Sequence, residues 1–582
     1  MKFLCTILLL AVSFFSVYTQ APADKSTEKK EQLVFAADRL MAESPGLRLA
    51  ANRAYVLARV GKFLCKVDGK RSAEQFRLAI GELATAQSTA ADLKKGGSLA
   101  NDLNNSTSIR PTILRSVAEC DADLALQSLY RTRPPIVEFA MNGGREKTNK
   151  IGDNALNFTA TAQNEIALEQ ALLRLAADQS PDRAGSLLKE SLKKGLTNET
   201  FALLQRLNTK EPEEASRIAN SVVENLVNTA FVKTNPLNYQ GLAMASTFLS
   251  DYIRVKAQDE KSLRYDDATM RALEERAVAM YLEQNDGARY ISTDLLMKAA
   301  EKLSPADVVR LKAQEKALTA KYGGITGQRN DDLARLMSSN PTAERLVSES
   351  KNYSPDERRQ LLYSAAYKFA DRDDYGAAAA LVNENFSDDV QENAIQSLNW
   401  YYAHRLMNLG KYAEAERMMN EFPENNRNAA LITLAQIVFD KDKEKNGAYA
   451  VSILNRIRAS LPERPPTQQE LGYSLQLVNA YTKIDPEQAF DMVEALVPQL
   501  NELCDASIII TSFQGNSNME QGEGVVSQGL PFGIYVDFSV VQKLADKDLD
   551  RTEKLIEQFS RPEMRVSLKM QLAENLANKQ SN

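Results

Sequence analysis

One histidine and one tryptophan serve the whole chain of 582 residues, and they stand four positions apart, at His404 and Trp400. A single histidine excludes zinc sites that need two or more imidazoles, and it confines any Ser-His-Asp or Cys-His arrangement to one with His404 as its base. Cys-x-x-Cys and His-Glu-x-x-His spacings are missing, and so is a glycine-rich phosphate loop. Gly143-Gly144 follows no strand pattern, so no dinucleotide fingerprint is present. None of these patterns implies a cofactor or a metal.

Aromatic residues are only 7% of the chain, and the Val/Thr/Tyr alternation of strands is nearly absent. The formal charge of −6 is spread over mixed-sign stretches with no basic stripe, which argues against a nucleic-acid partner. Beyond the N-terminus no apolar run is long enough to span a membrane, the best being Ala429 to Phe439. The N-terminus itself is apolar from Phe3 to Val17 after Lys2, with small residues at Ala21 and Ala23 and the polar run Asp24 to Gln32 behind them. That is the pattern of a secretory signal peptide, residues 1–21, and about 15 apolar residues fall short of the roughly 20 of a spanning helix. The mature chain is therefore expected to be extracytoplasmic, periplasmic or secreted.

Removing that segment leaves Cys65, Cys120 and Cys504. Three cysteines are no disulfide framework, and buried apolar thiols are the simplest reading. If a bridge forms, Cys65 and Cys120 are the pair to choose, since both lie in the N-terminal section.

What the chain has in abundance is alanine and leucine at helical spacing, stated repeatedly. Ala378 with Leu381-Val382 recurs as Ala415 with Met418-Met419, then Ala450 with Ile453-Leu454, Ala489 with Met492-Val493, and Thr552 with Leu555-Ile556. The first two alanines are 37 residues apart. Stripes at i, i+3, i+4 and i+7 recurring at such intervals mark stacked helical hairpins. An earlier pair, Ala184 and Ala215, follows Ser180-Pro181 and Glu211-Pro212, where proline opens a helix after a polar residue. The expected fold is all-α, an array of stacked hairpins.

Interruptions divide the array. Residues 142–153, with Gly143-Gly144, and 322–330, with Gly323, Gly324 and Gly327, separate a helical section at 22–141, a middle repeat section at 154–321 and a C-terminal one at 331–582. Glycine-rich residues 512–532 explain the long step between Ala489 and Thr552 and read as a surface loop.

The segment Leu409-Gly410-Lys411-Tyr412-Ala413-Glu414-Ala415 resembles the turn and second-helix start of a tetratricopeptide repeat, and Ala366 and Ala403, twelve residues before Ala378 and Ala415, match the small first-helix residue of that family. The resemblance implies a TPR-like α-solenoid whose first helices line a binding surface for protein or peptide segments. It puts Trp400 and His404 on that surface, with Tyr363 and Tyr367 at the same positions one repeat earlier. Four amphipathic rings on one face suit a peptide or a sugar chain; the alternative is that they fill the seam between hairpins.

Paired acids occur at Asp266-Asp267, Asp331-Asp332, Asp373-Asp374 and Asp388-Asp389. Helical glycan-acting enzymes use two carboxylates across a cleft, but these pairs fall at expected helix starts, where acids cap the backbone. A partner-binding scaffold is the leading expectation and a helical glycan-acting enzyme the alternative.

Overall fold

The computed structural model describes residues 25–93, 99–141, 154–229, 238–254, 262–283, 292–322, 333–513, 519–520, 523–524, 526 and 539–581. The expected signal peptide at 1–21, the interruption at 142–153 and all of that at 322–330 except Tyr322, which ends a helix, lie outside them. Among the described residues the fold is all-α, apart from one ladder in which Met519 pairs with Gly524 and Glu520 with Glu523. No described helix is long and apolar enough to cross a membrane.

The helices run α1 (Lys25–Glu43), α2 (Ala50–Leu64), α3 (Gly69–Leu93), α4 (Leu99–Ala118), α5 (Ala122–Arg131), α6 (Pro135–Met141), α7 (Asn154–Gln179), α8 (Pro181–Leu192), α9 (Asn198–Asn208) and α10 (Pro212–Thr229). There follow α11 (Asn238–Arg254), α12 (Asp267–Leu282), α13 (Thr293–Leu303), α14 (Pro305–Tyr322), α15 (Ala343–Ser350), α16 (Pro355–Asp371), α17 (Tyr375–Asn385), α18 (Asp388–Asn408), α19 (Tyr412–Asn420) and α20 (Glu424–Lys441). The last are α21 (Lys443–Ser460), α22 (Gln468–Ile484), α23 (Pro486–Phe513), α24 (Ser539–Ala545), α25 (Leu549–Glu557) and α26 (Pro562–Ser581).

Local chemistry sets many of these starts. Asp121, Asp266, Ser292, Thr342, Asp374, Asp442, Thr467 and Asp548 accept a hydrogen bond from a backbone N–H in the first turn that follows each of them. Each such cap satisfies a donor with no intrahelical partner, worth about 1 kcal/mol. Pro181, Pro212 and Pro305 open their helices, as the sequence indicates.

The chain gathers into two compact units, one of residues 1–134, 500–533 and 545–582, the other of 135–499 and 534–544. This division differs from the three sections expected along the sequence. In the first unit, α26 packs on α1 and α2, so that Val566, Met570 and Ala573 share a buried cluster with Leu33, Ala37, Leu40, Val56 and Val60. The apolar faces of α1 and α2 are completed by the far end of the chain, which glycine punctuation cannot reveal. Between α2 and α3 the approach is close: a Cβ at Gly61 would come within 2.6 Å of the Phe76 ring. The disulfide Cys65–Cys120 spans 55 residues of this unit, joining the end of α2 to the turn before α5, while Cys504 is a buried free thiol.

Residues 512–532, expected as a surface loop, are tied down where they are described. Glu523, 3% exposed, sends its carboxylate to the start of α2, accepting the backbone N–H of Arg48 at 2.5 Å and of Leu49 at 3.3 Å. Leu49 at the head of α2 has no side chain able to cap it, and Glu523 supplies the missing acceptor from 474 residues away.

The second unit is a stack of hairpins. Helix α16 contacts α15, α17 and α18; α18 contacts α17, α19 and α20; α20 contacts α19, α21 and α22. Each first helix thus meets its own second helix and the next first helix, the mark of a helical-repeat solenoid. Ala378, Ala415, Ala450 and Ala489 are all fully buried, and a larger side chain there would cost roughly 1–3 kcal/mol in overpacking. The 37-residue step is also written in the backbone. Asp373 has φ 63° and Gly410 φ 75°; Asp374 donates its N–H to the Phe369 carbonyl at 3.0 Å and Lys411 to Leu406 at 2.9 Å. Both turns end a first helix through a left-handed residue.

Candidate functional site

The four rings expected on one face come from two adjacent first helices, Tyr363 and Tyr367 from α16 and Trp400 and His404 from α18. Tyr363, Tyr367 and Trp400 are half-buried, and His404 is exposed. Beneath them the repeat is exact to within one residue. Tyr363 packs on Phe386, with centroids 4.7 Å apart, and Trp400 packs on Phe422 at 5.4 Å. Phe386 and Phe422 are themselves buried just past the ends of α17 and α19. Tyr363 and Trp400 therefore fill the seam within each hairpin with one side of the ring and keep the other at the surface. The Trp400 and His404 rings lie 6.2 Å apart on α18.

Tyr401 joins this face although the sequence pattern did not single it out. It is 37% exposed and meets Tyr367 edge-on at 4.7 Å, bridging α16 and α18. Its hydroxyl donates to Asp371 at 2.5 Å, and that bond, with burial, pushes the phenol up to about 12. Burial likewise raises Tyr367. Next to them Arg405 donates to Asp373 at 3.0 Å. The result is a line of aromatic surface edged by fixed charges. Tyr367 and Tyr401 are held neutral at ordinary pH. Its chemistry is that of contact: flat amphipathic rings with few rotamers to freeze.

Asp266, Asp267, Asp373 and Asp374 are engaged with backbone or side chains, and Asp388-Asp389 stand in the first turn of α18. Asp266 and Asp374 cap α12 and α17, Asp267 accepts the Tyr252 hydroxyl at 2.7 Å, and Asp373 holds Arg405. Asp331-Asp332 lie outside the described residues.

The second unit also has a cleft of about 460 Å³, away from the four rings. Val347 of α15, Phe369 of α16, and Ala377, Ala380 and Leu381 of α17 form its apolar lining, and Glu344, Lys351 and Glu384 are among its polar residues. On α16, Phe369 points roughly 120–160° away from Tyr363 and Tyr367 by helix geometry, so cleft and rings occupy different sides of that helix. The small-residue run Gly376 to Ala380 was the sequence signal for it.

Elsewhere in the unit, Glu274 of α12 is fully buried. Neither of its carboxylate oxygens meets a partner in hydrogen-bond geometry. Burial pushes its carboxyl up to about 7, Asp307 and Glu275 adding to the shift, while the nearby Ser304 hydroxyl and Arg310 oppose it.

No protein-family model matches the chain, and no curated protein matches it. A similar solved structure is a circular tandem repeat protein with novel repeat topology and enhanced subunit contact surfaces, 14% identical, covering 92% of this chain and 99% of that one with a TM-score of 0.20. So slight a superposition bears on neither fold nor function.

Proposed function

We propose that the chain is an extracytoplasmic, TPR-like scaffold that binds protein or peptide segments across the first-helix face carrying Tyr363, Tyr367, Trp400, Tyr401 and His404. The observation that carries this reading is the half-exposure of rings whose inner sides are fixed on Phe386 and Phe422: they are rigid before any partner arrives, so little conformational entropy opposes binding. The buried small residues Ala366 and Ala403 and the matching left-handed turns at Asp373 and Gly410 support the TPR-like character. The apolar N-terminal segment and the Cys65–Cys120 bridge support an oxidising, extracytoplasmic setting.

The sole tryptophan makes the face its own reporter. Proteins retained from the envelope or secreted fraction by the mature chain are identified, purified and titrated against it while Trp400 emission is followed. Saturable change in emission, with affinity lost in Tyr367→Ala/Tyr401→Ala, supports the reading. A partner whose binding leaves both the emission and that double variant unaffected counts against it.

A further inference from the structure

The rings of the first-helix face stand in rows. Tyr363 of α16 and Trp400 of α18 are 37 residues apart and hold matching positions, and so do Tyr367 and His404. Within each helix the two rows are separated by four residues, about 6 Å along the axis. From helix to helix the step is that of two packed helices, about 8–10 Å, and the contact of Tyr367 with Tyr401 at 4.7 Å shows α16 and α18 touching at this face. A partner that meets both helices alike must therefore repeat itself about every 8–10 Å.

Charge and hydrogen bonding narrow the partner further. Asp371 accepts the Tyr401 hydroxyl and lies 3.6 Å from Arg405, while Asp373 lies 3.0 Å from Arg405 and 4.0 Å from Lys411. The charges beside the rings, two acids and two bases, are thus matched among themselves. The ring donors are not. Among the described residues, the Tyr363 and Tyr367 hydroxyls and the Trp400 indole N–H have no hydrogen-bond partner, and the indole N–H can only donate.

We propose, resting on the reading of this face as the binding surface, that its occupant is an uncharged, proline-rich segment of a partner protein in the polyproline II conformation, lying across α16 and α18. That conformation repeats every three residues, about 9 Å, so prolines three apart present their rings in turn to Tyr363 and Trp400. Its backbone carbonyls have no partner within the segment, and they accept from the hydroxyls and the indole N–H. Other conformations fit one condition and not the other: an extended strand shows the same face about every 6.5 Å, out of step with the helices, and an α-helix uses its carbonyls internally. A proline-rich segment also has little freedom to lose on binding, and the rings packed on Phe386 and Phe422 have little on their side.

The probe is a fluorescein-labelled decaproline peptide, titrated with the full mature chain by anisotropy. Saturable binding is expected, weakened about tenfold or more by Trp400→Ala and by Tyr363→Ala. The double variant Tyr363→Phe/Tyr367→Phe, which keeps the rings and removes two donors, is expected to weaken it severalfold. Because no charge takes part, affinity is expected to change less than about twofold between about 50 mM and about 500 mM salt. Circular dichroism checks that each variant is folded, and the phenylalanine variant, which removes only unpartnered hydroxyls, decides the matter where an alanine variant is not. No saturation by about 0.5 mM, binding indifferent to the ring variants, or a steep loss with salt overturns the proposal. Saturation by chitohexaose in place of decaproline overturns it in favour of a sugar chain. The face itself is judged separately: a protein partner whose affinity falls in Tyr367→Ala/Tyr401→Ala, while decaproline does not bind, leaves the binding surface standing and overturns the proline-rich occupant alone.

Discussion

Asn52 and Glu523 hold each other 471 residues apart: the Asn52 amide donates to the Glu523 carboxylate at 2.6 Å, and to the Gly524 carbonyl at 2.8 Å. The Asn52 side-chain Oδ1 in turn accepts the N–H of Val526 at 2.9 Å. Asn52 is fully buried, so each bond lost leaves a dry polar group behind. Asn52→Ala and Glu523→Ala are each expected to cost about 2–4 kcal/mol, and the double variant less than their sum because they share partners. Urea melts of the three variants check this; additive or negligible losses would show that the contact does not hold the segment.

Proteolysis gives an independent view of the same segment. A glycine-rich surface loop is cut before the helices around it, whereas the bonds at Glu523, Gly524 and Val526, with Glu523 and Val526 buried, are expected to resist cleavage until the first unit unfolds. Mass mapping of early fragments decides between them, and Glu523→Ala should expose the site.

Glu274 makes stability depend on pH. Its folded value, about 7, lies above the ordinary 4.5, so the folded chain keeps a proton that the unfolded chain loses. The stabilising neutral form is fully present below 4.5, and its advantage is lost as pH rises to about 7, in all about 3 kcal/mol. Glu274→Gln is expected to match the parent near pH 4.5 and to exceed it by about 2–3 kcal/mol at pH 8. Urea midpoints at both values test it, and an advantage independent of pH would mean that ionisation is not the cause.

The rings on α16 and α18 should behave as neither core nor free surface. With one side on Phe386 or Phe422, Tyr363→Ala and Trp400→Ala are expected to cost about 1–2 kcal/mol each, below the roughly 3–5 of a core aromatic. His404→Ala should stay within about 0.5. Thermal melts separate these values, and core-sized losses at both rings would leave them as packing alone.

Gly61→Ala should destabilise the first unit by about 1–3 kcal/mol, because the new Cβ meets the ring of Phe76, which is only 1% exposed and cannot swing away. A compensating Phe76→Leu is expected to recover part of the loss in the same denaturation assay.

Much of the second unit was legible because its repeats are local. Ala378 and Ala415 announce themselves by spacing, and Ser180-Pro181 or Asp374 mark helix starts within a few residues of the helix itself. Long-range contacts were not legible. The sequence offers no rule for joining Glu523 to Leu49, or Val566 to Leu33, since the partners share no periodicity and hundreds of residues intervene. The candidate face was half legible: the step from Tyr363 to Trp400 shows that the rings repeat, and Phe422 stands at i+7 of the Ala415 stripe, but Phe386 falls at i+8 of Ala378, and the stripe does not say that either lies beneath a ring. Tyr401 entered only through its contact with Tyr367. The cleft was written in the run of small residues at 376–380, which by itself reads only as good helix.

The pairing of α26 with α1 and α2 has a consequence in time. Met570 cannot reach Leu40 until 530 further residues have been made, about 25–100 s at the ordinary rates of synthesis. Through that interval the apolar faces of α1 and α2 are born before their cover, while residues 135–499 can complete their hairpins from neighbours alone. The newborn chain should therefore ripen from its middle outward, and a chaperone that follows it has its longest task at the segment that emerges first.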